Sequence, residues 1–238
     1  MSAPLVSVLL PVFNGEAYIS ETLRSVLAQT YPNLEILAVD DGSTDATPAI
    51  LSRFASADSR VKLWPQSNRG VAAARNLAIS VARGEFIAPI DADDLWFPEK
   101  ITSQVNRFLQ SPPEVGLVYV WGVRIDERGR ILMEDFSREV EGHVLGPLIL
   151  TFFLGNASVP LIRRECFDQV GGYNENFRVA DAQGCEDWDL SLRIAEKFEF
   201  RVVPRYLVGY RQRSTSMSYN ARAMARSYEM TMRELRAR

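Results

Sequence analysis

Two groups of acidic residues each follow an apolar, strand-like run of the sequence. The first, Asp-Asp-Gly-Ser-Thr-Asp at residues 40–45, comes directly after Val39, and the second, Asp-Ala-Asp-Asp at residues 91–94, comes directly after Ile90. An Asp-x-Asp sequence brings two carboxylates close together, which suits a hard divalent cation such as Mg²⁺ or Mn²⁺ and, through it, a diphosphate. A turn and helix-cap role competes on equal terms at residues 40–45, whereas a metal or ligand site is favoured at residues 91–94.

Two further groups have the residue types for acid–base chemistry and for anion binding. Glu186, Asp187 and Asp189 open a predicted helix, where they either cap the helix or supply a general base to the same pocket. Residues 68–70 precede a helix of small residues, whose N-terminus and Arg75 either bind an anion or leave Arg75 in solvent. The sequence has no Gly-x-Gly-x-x-Gly and no Gly-Lys-Ser/Thr motif, so a dinucleotide-binding or P-loop enzyme has no support.

Two alternating periodicities predict the elements that position these side chains. Apolar β-type runs and helical patterns alternate along the first half, with strands at 5–12, 34–39, 61–64, 86–90 and 115–121 and helices at 17–29, 46–55, 71–82 and 98–109. This rhythm predicts an α/β fold: a Rossmann-like mixed, mostly parallel sheet flanked by helices. Ligands bind beyond the carboxyl ends of such strands, where both acidic groups fall. The later segments are predicted as a hairpin or mixed sheet at 123–133, strands at 157–162 and 206–211, and a helix at 187–197.

The composition is that of one globular domain. The chain has 238 residues, of which 47% are hydrophobic and 24% charged, which excludes disordered, collagen-like and coiled-coil chains. Cys166 and Cys185 form no disulfide framework, and no Cys/His spacing indicates zinc. The apolar start at residues 5–13 has no preceding basic residue and contains Pro11, and no run reaches the roughly 18 uncharged apolar residues of a membrane span. We therefore expect a cytoplasmic protein.

The charge is unevenly distributed. Residues 211–238 contain seven arginines and two glutamates, a net charge of +5, which leaves −8 for residues 1–210 of a chain whose net charge is −3. The mildly acidic body argues against a nucleic-acid partner. Apolar residues recur at helical spacing in the basic tail: Met217, Ala221, Met224, Tyr228, Met232 and Leu235. They predict a C-terminal amphipathic helix over about residues 216–238. Packing on its own domain or in a homodimer is favoured, and docking to anionic lipid at the inner face of the membrane is the alternative.

Five motifs occur in order along the chain and resemble one family. They are residues 6–16 (Val-Ser-Val-Leu-Leu-Pro-Val-Phe-Asn-Gly-Glu), 39–45, 68–76 and 91–94, followed in the second half by Gly171-Gly172-Tyr173 with residues 186–190 (Glu-Asp-Trp-Asp-Leu). Together they are similar to the family 2 inverting glycosyltransferases. The resemblance implies the nucleotide-diphosphosugar transferase fold of type A in a single domain. It divides the chain into a nucleotide-sugar half (about 1–120), an acceptor half (about 121–215) and the C-terminal helix.

The resemblance implies a reaction. A sugar would pass from a nucleotide-diphosphate sugar, a UDP-sugar before others, to an acceptor hydroxyl with inversion, in polysaccharide, cell-envelope or glycoconjugate synthesis. The acceptor is unidentified, and a lipid-linked one would suit docking of the tail to a membrane. The leaving nucleoside diphosphate develops negative charge, which a divalent cation stabilises. One carboxylate base suffices for a single displacement, unlike the two carboxylates of a retaining glycosidase.

The resemblance also implies roles for individual residues in nucleotide binding. The nucleotide pocket would be lined by Pro11, Asn14 and Glu16. Asp40 and Asp41 would contact the base and the ribose.

The remaining implied roles concern the diphosphate and the acceptor. Arg75 would lie near the nucleotide, and Asp91 and Ala92 would belong to the nucleotide-sugar site, with Asp91 touching the ribose or the metal. Asp93 would be the main protein ligand of Mn²⁺ or Mg²⁺. Asp187 would be the catalytic base that deprotonates the acceptor.

One position departs from the family pattern. Many members carry a histidine shortly after a Tyr-Arg pair, and this chain has Arg213 after Tyr210 and Arg211. Arg213 would replace that histidine in charge but not as a metal ligand, and both arginines either clamp phosphates or lie exposed. Arg213 is the only support for a second hypothesis, a sugar-nucleotide-binding protein without turnover. A sugar-phosphate nucleotidyltransferase is a third, disfavoured because residues 11–16 contain no basic side chain.

Overall fold

The computed structural model of the protein describes residues 3–213, 216 and 219–238. Over these residues the chain forms nine strands and nine helices. The strands are β1 (Val6–Val12), β2 (Leu34–Asp40), β3 (Val61–Pro65), β4 (Phe86–Pro89), β5 (Leu95–Trp96), β6 (Val115–Ile125), β7 (Ile131–Asp135), β8 (Leu161–Arg163) and β9 (Glu199–Arg211). The helices are α1 (Ile19–Leu27), α2 (Thr47–Ala57), α3 (Val71–Val81), α4 (Lys100–Leu109), α5 (Leu145–Leu150), α6 (Arg164–Val170), α7 (Asn176–Val179), α8 (Glu186–Ala195) and α9 (Ala221–Ala237).

All of the described strands belong to one sheet. Its order is β3-β2-β1-β4-β8-β6-β9-β5, with β7 paired to β6. The strands β3, β2, β1 and β4 run parallel, as do β6 and β9. By contrast, β8, β7 and β5 are antiparallel to their neighbours. The predicted α/β fold with a mixed sheet flanked by helices is confirmed.

The first-half strands are apolar along their length because both faces of the sheet are covered. Every residue of β1 and β2 is buried, as expected for parallel strands packed between layers of helices. Helix α3 packs on both strands, and its buried side chains include the small residues Ala74 and Ala78. Since β1, β2 and β4 run in the same direction, the loops that follow them meet at one edge of the sheet.

The second half follows the predicted pattern less closely. The predicted hairpin is confirmed, since β6 and β7 pair antiparallel around a turn in which Gly129 has a φ of +77°. The predicted strand at 206–211 is only the end of β9. The strand begins at Glu199 and continues past the exposed Pro204 because its register shifts there against β6, so that Pro204 needs no ladder partner. Most of the predicted strand at 157–162 is a loop that leads into β8.

The C-terminal helix α9 packs against α8 of the same chain. Its buried side chains are the small residues Ala223, Ser227 and Thr231, which recur every four residues. The predicted apolar face is therefore only partly correct: Ala221 is exposed, Tyr228 is half exposed, and Met217 lies outside the described residues. Within the described part of the chain, no helix has the length and hydrophobicity of a membrane span.

Candidate active site

Two neighbouring cavities open at the edge of the sheet where β1, β2 and β4 end. The Asp41 cavity has a volume of about 420 Å³, and its lining includes Asn14, Asp41 and Ala92. The Asp187 cavity has a volume of about 600 Å³, and its lining includes Arg75, Asp91 and Asp187. Three side chains line both cavities: Val71, Asp93 and Arg213. The predicted metal ligand Asp93 therefore stands at the junction of the two cavities.

Asp41 ties the end of β2 to the start of α3. Its buried carboxylate accepts hydrogen bonds from the backbone N–H groups of Arg69 (2.7 Å) and Gly70 (2.8 Å) and from the Gln66 side chain (2.6 Å). These bonds hold residues 68–70 beside the cavity, at the N-terminus of α3. Gly42 makes the tight turn possible, because it has a φ of +78° and an added Cβ would lie 2.9 Å from the backbone nitrogen of Asn68.

Asn14 and Glu16 join the loop after β1 to the loop after β2. Asn14 Oδ1 accepts a hydrogen bond from the Thr44 N–H (2.8 Å), and Glu16 Oε2 accepts one from the Ala46 N–H (2.8 Å). Of these two residues, Asn14 lines the Asp41 cavity and Glu16 does not. Asn14 therefore lies at the Asp41 cavity and Glu16 holds the neighbouring loop, and the nucleotide-binding roles of both stay predictions.

Two other predicted nucleotide residues also line neither cavity. Pro11 is buried within β1. Asp40 is buried at the end of β2, and its carboxylate accepts a hydrogen bond from the Ser43 N–H at 3.1 Å. The Asp40 side chain thus supports the loop that follows β2. Neither Pro11 nor Glu16 lines either of these two cavities, and their part in nucleotide binding stays a prediction.

Arg75 is buried and pairs with Asp91 across the floor of the Asp187 cavity. The distance from Arg75 Nη2 to Asp91 Oδ1 is 2.5 Å, and the guanidinium also lies 5.0 Å from the centre of the Tyr173 ring. Burial opposes the charge on Arg75, but Asp91 and the other nearby acids outweigh it and raise the Arg75 pKa above its ordinary value. Arg75 is therefore a permanent cation facing this cavity, and the solvated alternative is wrong.

Asp93 pairs with Arg213 at the junction of the cavities. Arg213 Nη2 lies 2.6 Å from Asp93 Oδ2. Burial and the charge of Asp91 raise the pKa of Asp93, and the guanidinium of Arg213 opposes this rise. The position that departs from the family pattern therefore contacts the predicted metal ligand directly.

Asp94 and Arg211 hold this loop in place, and sequence analysis did not identify either role. The buried carboxylate of Asp94 accepts hydrogen bonds from Asn156 (2.9 Å), Ser158 (2.6 Å) and the Arg211 N–H (3.0 Å). The Arg211 side chain is fully buried and donates to the backbone oxygen of Asp93 at 2.7 Å. Arg211 thus neither clamps a phosphate nor lies exposed. The signal for Asp94 in the sequence was its place as the third and last aspartate of residues 91–94, directly before the apolar pair Leu95-Trp96.

Asp187 lies in the first turn of α8 and lines the cavity that bears its name. Burial, with further contributions from Glu186 and Asp91 and against the charge of Arg75, raises its pKa to about 7. Glu186 also lines this cavity, but its Oε2 accepts a hydrogen bond from the Gly184 N–H at 2.7 Å. A carboxylate with a pKa near neutrality has the basicity that proton abstraction from a hydroxyl requires.

The carboxylates at this site fit a divalent cation that a ligand helps to coordinate. Among the described residues, no three His, Cys, Asp or Glu side chains form a group that could hold a metal alone. Burial first, and then repulsion from Asp91, raises the pKa of Asp93, and a bound cation would relieve that repulsion. Mg²⁺ is commonly bound through one or two carboxylates together with substrate phosphates, and Asp93 with Asp91 matches that donor set.

The sequence match decides the family. Residues 7–171, more than half of the chain, match the model of Glycosyl transferase family 2. The chain belongs to this family. A relative of this family 2 glycosyltransferase is TuaG of Bacillus subtilis, named as a candidate teichuronic acid biosynthesis glycosyltransferase, which is 40% identical over 108 residues. That alignment covers 45% of this chain and 43% of TuaG, so the chain spans less than half of that relative's length.

Two solved structures are similar to this family 2 glycosyltransferase. S. aureus TarS 1–349 in complex with UDP-GlcNAc has a TM-score of 0.76 at 20% identity, covering 96% of this chain and 64% of that one. The mannosyltransferase PcManGT from Pyrobaculum calidifontis in complex with GDP-Man and Mn²⁺ has a TM-score of 0.67 at 21% identity, covering 98% and 65%. At this level of identity the similarity shows the fold, which is the type A glycosyltransferase fold.

Proposed function

We propose that this family 2 glycosyltransferase moves a sugar from a nucleotide-diphosphate sugar to an acceptor hydroxyl, with inversion at the anomeric carbon. One observation carries the proposal: Asp93 lines both cavities, and Asp187 lines one of them. The nucleotide would occupy the Asp41 cavity, its diphosphate would lie at the junction beside Asp93, and the transferred sugar would point towards Asp187. The nucleotide, the sugar–diphosphate bond that breaks and the base Asp187 would then lie in sequence along the two cavities.

The nucleotide would bind through the loops at the carboxyl edge of the sheet. Asn14, Asp41 and Ala92 line the cavity, and Asp41 already holds the backbone of residues 68–70 beside it. The assignment of base and ribose contacts to Asp40 and Asp41 remains a prediction, since Asp40 would act through the loop that it supports. We propose a UDP-sugar as the first donor to test, while the solved neighbours bind UDP-GlcNAc and GDP-Man.

A divalent cation, Mn²⁺ or Mg²⁺, would be held by Asp93 with help from Asp91. Bound there, it would stabilise the negative charge that develops on the leaving diphosphate. Arg75 fixes the orientation of Asp91 through its 2.5 Å ion pair and adds a permanent positive charge to the same cavity. Asp94 and Arg211 keep the loop that carries both aspartates in one conformation.

Asp187 would act as the general base. In its ionised form it would accept the proton of the acceptor hydroxyl while that oxygen forms a bond to the anomeric carbon. The bond from this carbon to the diphosphate oxygen breaks in the same step, and the electron pair leaves with the diphosphate. One base is enough for this displacement, and the product has the inverted configuration.

The acceptor hydroxyl would belong to a polysaccharide, cell-envelope or glycoconjugate precursor. TuaG is named for teichuronic acid biosynthesis, which supports a role of this chain in cell-envelope polysaccharide synthesis. A lipid-linked acceptor would explain an exposed leucine at the Asp187 cavity, since Leu150 is 85% exposed and lines it. Sedimentation with anionic and neutral vesicles tests this part, because failure of the protein to sediment with either kind of vesicle would contradict membrane docking.

The central experiment measures donor binding and turnover separately. Asp187→Asn is expected to bind UDP or GDP with unchanged affinity and to lose transfer about 10²- to 10⁴-fold, the usual contribution of a general base. Asp93→Ala is expected to lose metal-dependent nucleotide binding. Full transfer activity in Asp187→Asn would contradict the assigned base. Nucleotide binding by the wild-type protein without transfer or donor hydrolysis would favour a binding protein without turnover.

A further inference from the structure

Arg211 and Arg213 are two residues apart, but the structure uses them differently. All donor groups of Arg211 that are described are engaged: Nε and Nη1 donate to backbone oxygens, and Nη2 pairs with Glu21 at 2.7 Å. Among the described residues, Arg213 forms an ion pair with Asp93 alone. Its Nε is buried and has no hydrogen-bond partner within the described part of the chain. Arg211 thus holds the fold together, whereas Arg213 has this unpaired Nε and a partly exposed side chain.

Arg213 lies beside the position that the donor's pyrophosphate would take in the proposed function. It lines both cavities together with Asp93, and it lies 5.4 Å from the centre of the Tyr18 ring. The Arg213 and Asp93 side chains are 32% and 20% exposed, so a ligand in either cavity can reach the pair. A guanidinium binds phosphate oxygens through two parallel hydrogen bonds as readily as it binds a carboxylate.

A cation on Asp93 and the guanidinium of Arg213 compete for the same carboxylate. Two positive groups that contact one carboxylate repel each other. An anion such as a pyrophosphate relieves this repulsion when it binds one of the two. We propose that Arg213 occupies Asp93 in the free protein and transfers to the donor's pyrophosphate when a divalent cation takes its place. This inference rests on the proposed function, because it assigns a partner exchange to the same donor site.

The exchange makes a thermodynamic prediction. The cation and the nucleotide must strengthen each other's binding. Either ligand breaks the Arg213–Asp93 ion pair when it binds, so the second ligand no longer has to break it. Removing the guanidinium must then have opposite effects on the two ligands. Without nucleotide, the variant should bind the cation more tightly, since no guanidinium occupies Asp93. It should bind the nucleoside diphosphate more weakly, since a phosphate contact is lost.

The test measures Mn²⁺ binding by electron paramagnetic resonance and UDP or GDP binding by calorimetry, on the full chain. For Arg213→Ala we expect Mn²⁺ affinity without nucleotide to rise at least about tenfold, and nucleotide affinity with Mn²⁺ to fall at least about tenfold, from the usual strength of charge-assisted hydrogen bonds. Arg213→Lys should show smaller shifts in the same directions. Arg233→Ala is the matched control, since it breaks an exposed arginine–glutamate pair on α9 and should change neither affinity.

Several results would overturn the exchange. One is Mn²⁺ affinity that is unchanged or lower in Arg213→Ala, and another is an equal rise in Arg233→Ala. In an Asp93→Asn background, adding Arg213→Ala should leave Mn²⁺ affinity unchanged, and a further rise would show that the effect bypasses Asp93. Thermal unfolding checks that each variant is folded. Failure of the wild-type protein to bind either nucleotide would instead overturn the proposed function, which keeps the two failures distinct.

Discussion

At the scale of single residues, the environment of Asp187 sets the pH at which it accepts a proton. Burial, Glu186 and Asp91 raise its pKa to about 7, with Arg75 opposing them. We expect kcat/KM for transfer to be constant above pH 7 and to fall about tenfold per unit below it, because the protonated form is not a base. Initial rates at saturating cation between pH 5 and 9 test this. A profile that is flat down to pH 5 would contradict the assignment.

The same raised pKa predicts an effect on stability. A carboxyl that binds its proton more tightly in the folded state stabilises the fold at low pH, and this contribution is lost as the pH rises through about 7. Asp187→Asn should therefore raise the free energy of unfolding at pH 8 by roughly 2–4 kcal/mol, and leave it nearly unchanged at pH 4. Urea unfolding at both pH values measures the difference.

The control for this stability effect is Asp168→Asn, which changes an exposed carboxyl on α6. It should show no gain at pH 8. Equal stabilities of Asp187→Asn and the wild-type protein at pH 8 would mean that burial does not strain the Asp187 carboxylate. The prediction also separates the residue's catalytic role from its folding role, because activity and stability should move in opposite directions.

The expectation that Asp93 and Asp187 share one site came from the family resemblance, and both residues line the Asp187 cavity. The strand-end rule places Asp91 and Asp93 at the carboxyl edge of the sheet, because it depends only on parallel strands. It does not reach Asp187, which arrives from a helix about ninety residues later. The different roles of Arg211 and Arg213 could not be predicted either. Residues two apart share a face only within a strand, and β9 ends at Arg211.

At the scale of elements, one carboxylate joins β2 to α3. Asp41 accepts two backbone N–H groups and one side-chain amide, all on the segment that leads into α3. Asp41→Ala should lower the free energy of unfolding by about 1–3 kcal/mol, because it leaves buried donors unpaired. It should also weaken UDP or GDP binding, since the same segment borders the Asp41 cavity. Chemical denaturation and calorimetry measure the two effects.

The two effects of Asp41→Ala need a reference. Asp58→Ala removes a carboxylate that pairs with Arg60 after α2, outside both cavities. It should leave nucleotide affinity unchanged. If Asp41→Ala lowered stability without weakening nucleotide binding, the loop would hold the fold but would not shape the nucleotide site.

Local sequence patterns predicted the ends of the strands well where apolar runs were continuous. They failed in β9, where the strand contains an irregularity. The strands β1 to β4 end within one residue of their predicted positions, because buried parallel strands are continuous apolar runs, whereas β6 continues four residues past its predicted end at 121. In β9 the exposed Pro204 is typical of a loop, and only the shift in register against β6 keeps the strand intact. That shift depends on a neighbouring strand and has no local signature.

At the scale of the whole molecule, Asn76 connects the two halves that form the cavities. Its side chain donates to the backbone oxygen of Tyr173 (2.9 Å) and accepts from the Tyr173 N–H (2.8 Å). Arg69 adds an ion pair to Glu175 at 3.1 Å. These contacts join residues that are about a hundred positions apart in the sequence. Motif spacing could therefore not predict that the segment around Tyr173 lies over the edge of the sheet.

Helix α9 completes the Asp187 cavity from the C-terminal end of the chain. Met224 and Tyr228 line that cavity, and the Tyr228 ring lies 5.1 Å from Trp188 of α8. The fully buried Ser227 accepts a hydrogen bond from the Cys185 N–H at 2.8 Å, directly before the helix that carries Asp187. This face of the amphipathic helix α9 therefore packs within the chain itself.

A bulky side chain at this contact should separate acceptor chemistry from nucleotide binding. Ser227→Leu overpacks the α8–α9 interface at a cost of about 1–3 kcal/mol and leaves the Cys185 N–H unpaired. We expect kcat/KM for the acceptor to fall at least about tenfold, because Asp187 shifts with α8, while UDP or GDP affinity stays within about twofold. Ala225→Leu, at an exposed position of the same helix, is the matched control and should change neither quantity. Unchanged transfer together with a lower melting temperature would show that α9 stabilises the fold without positioning the base. Loss of nucleotide affinity in Ser227→Leu would show instead that the two cavities are not independent.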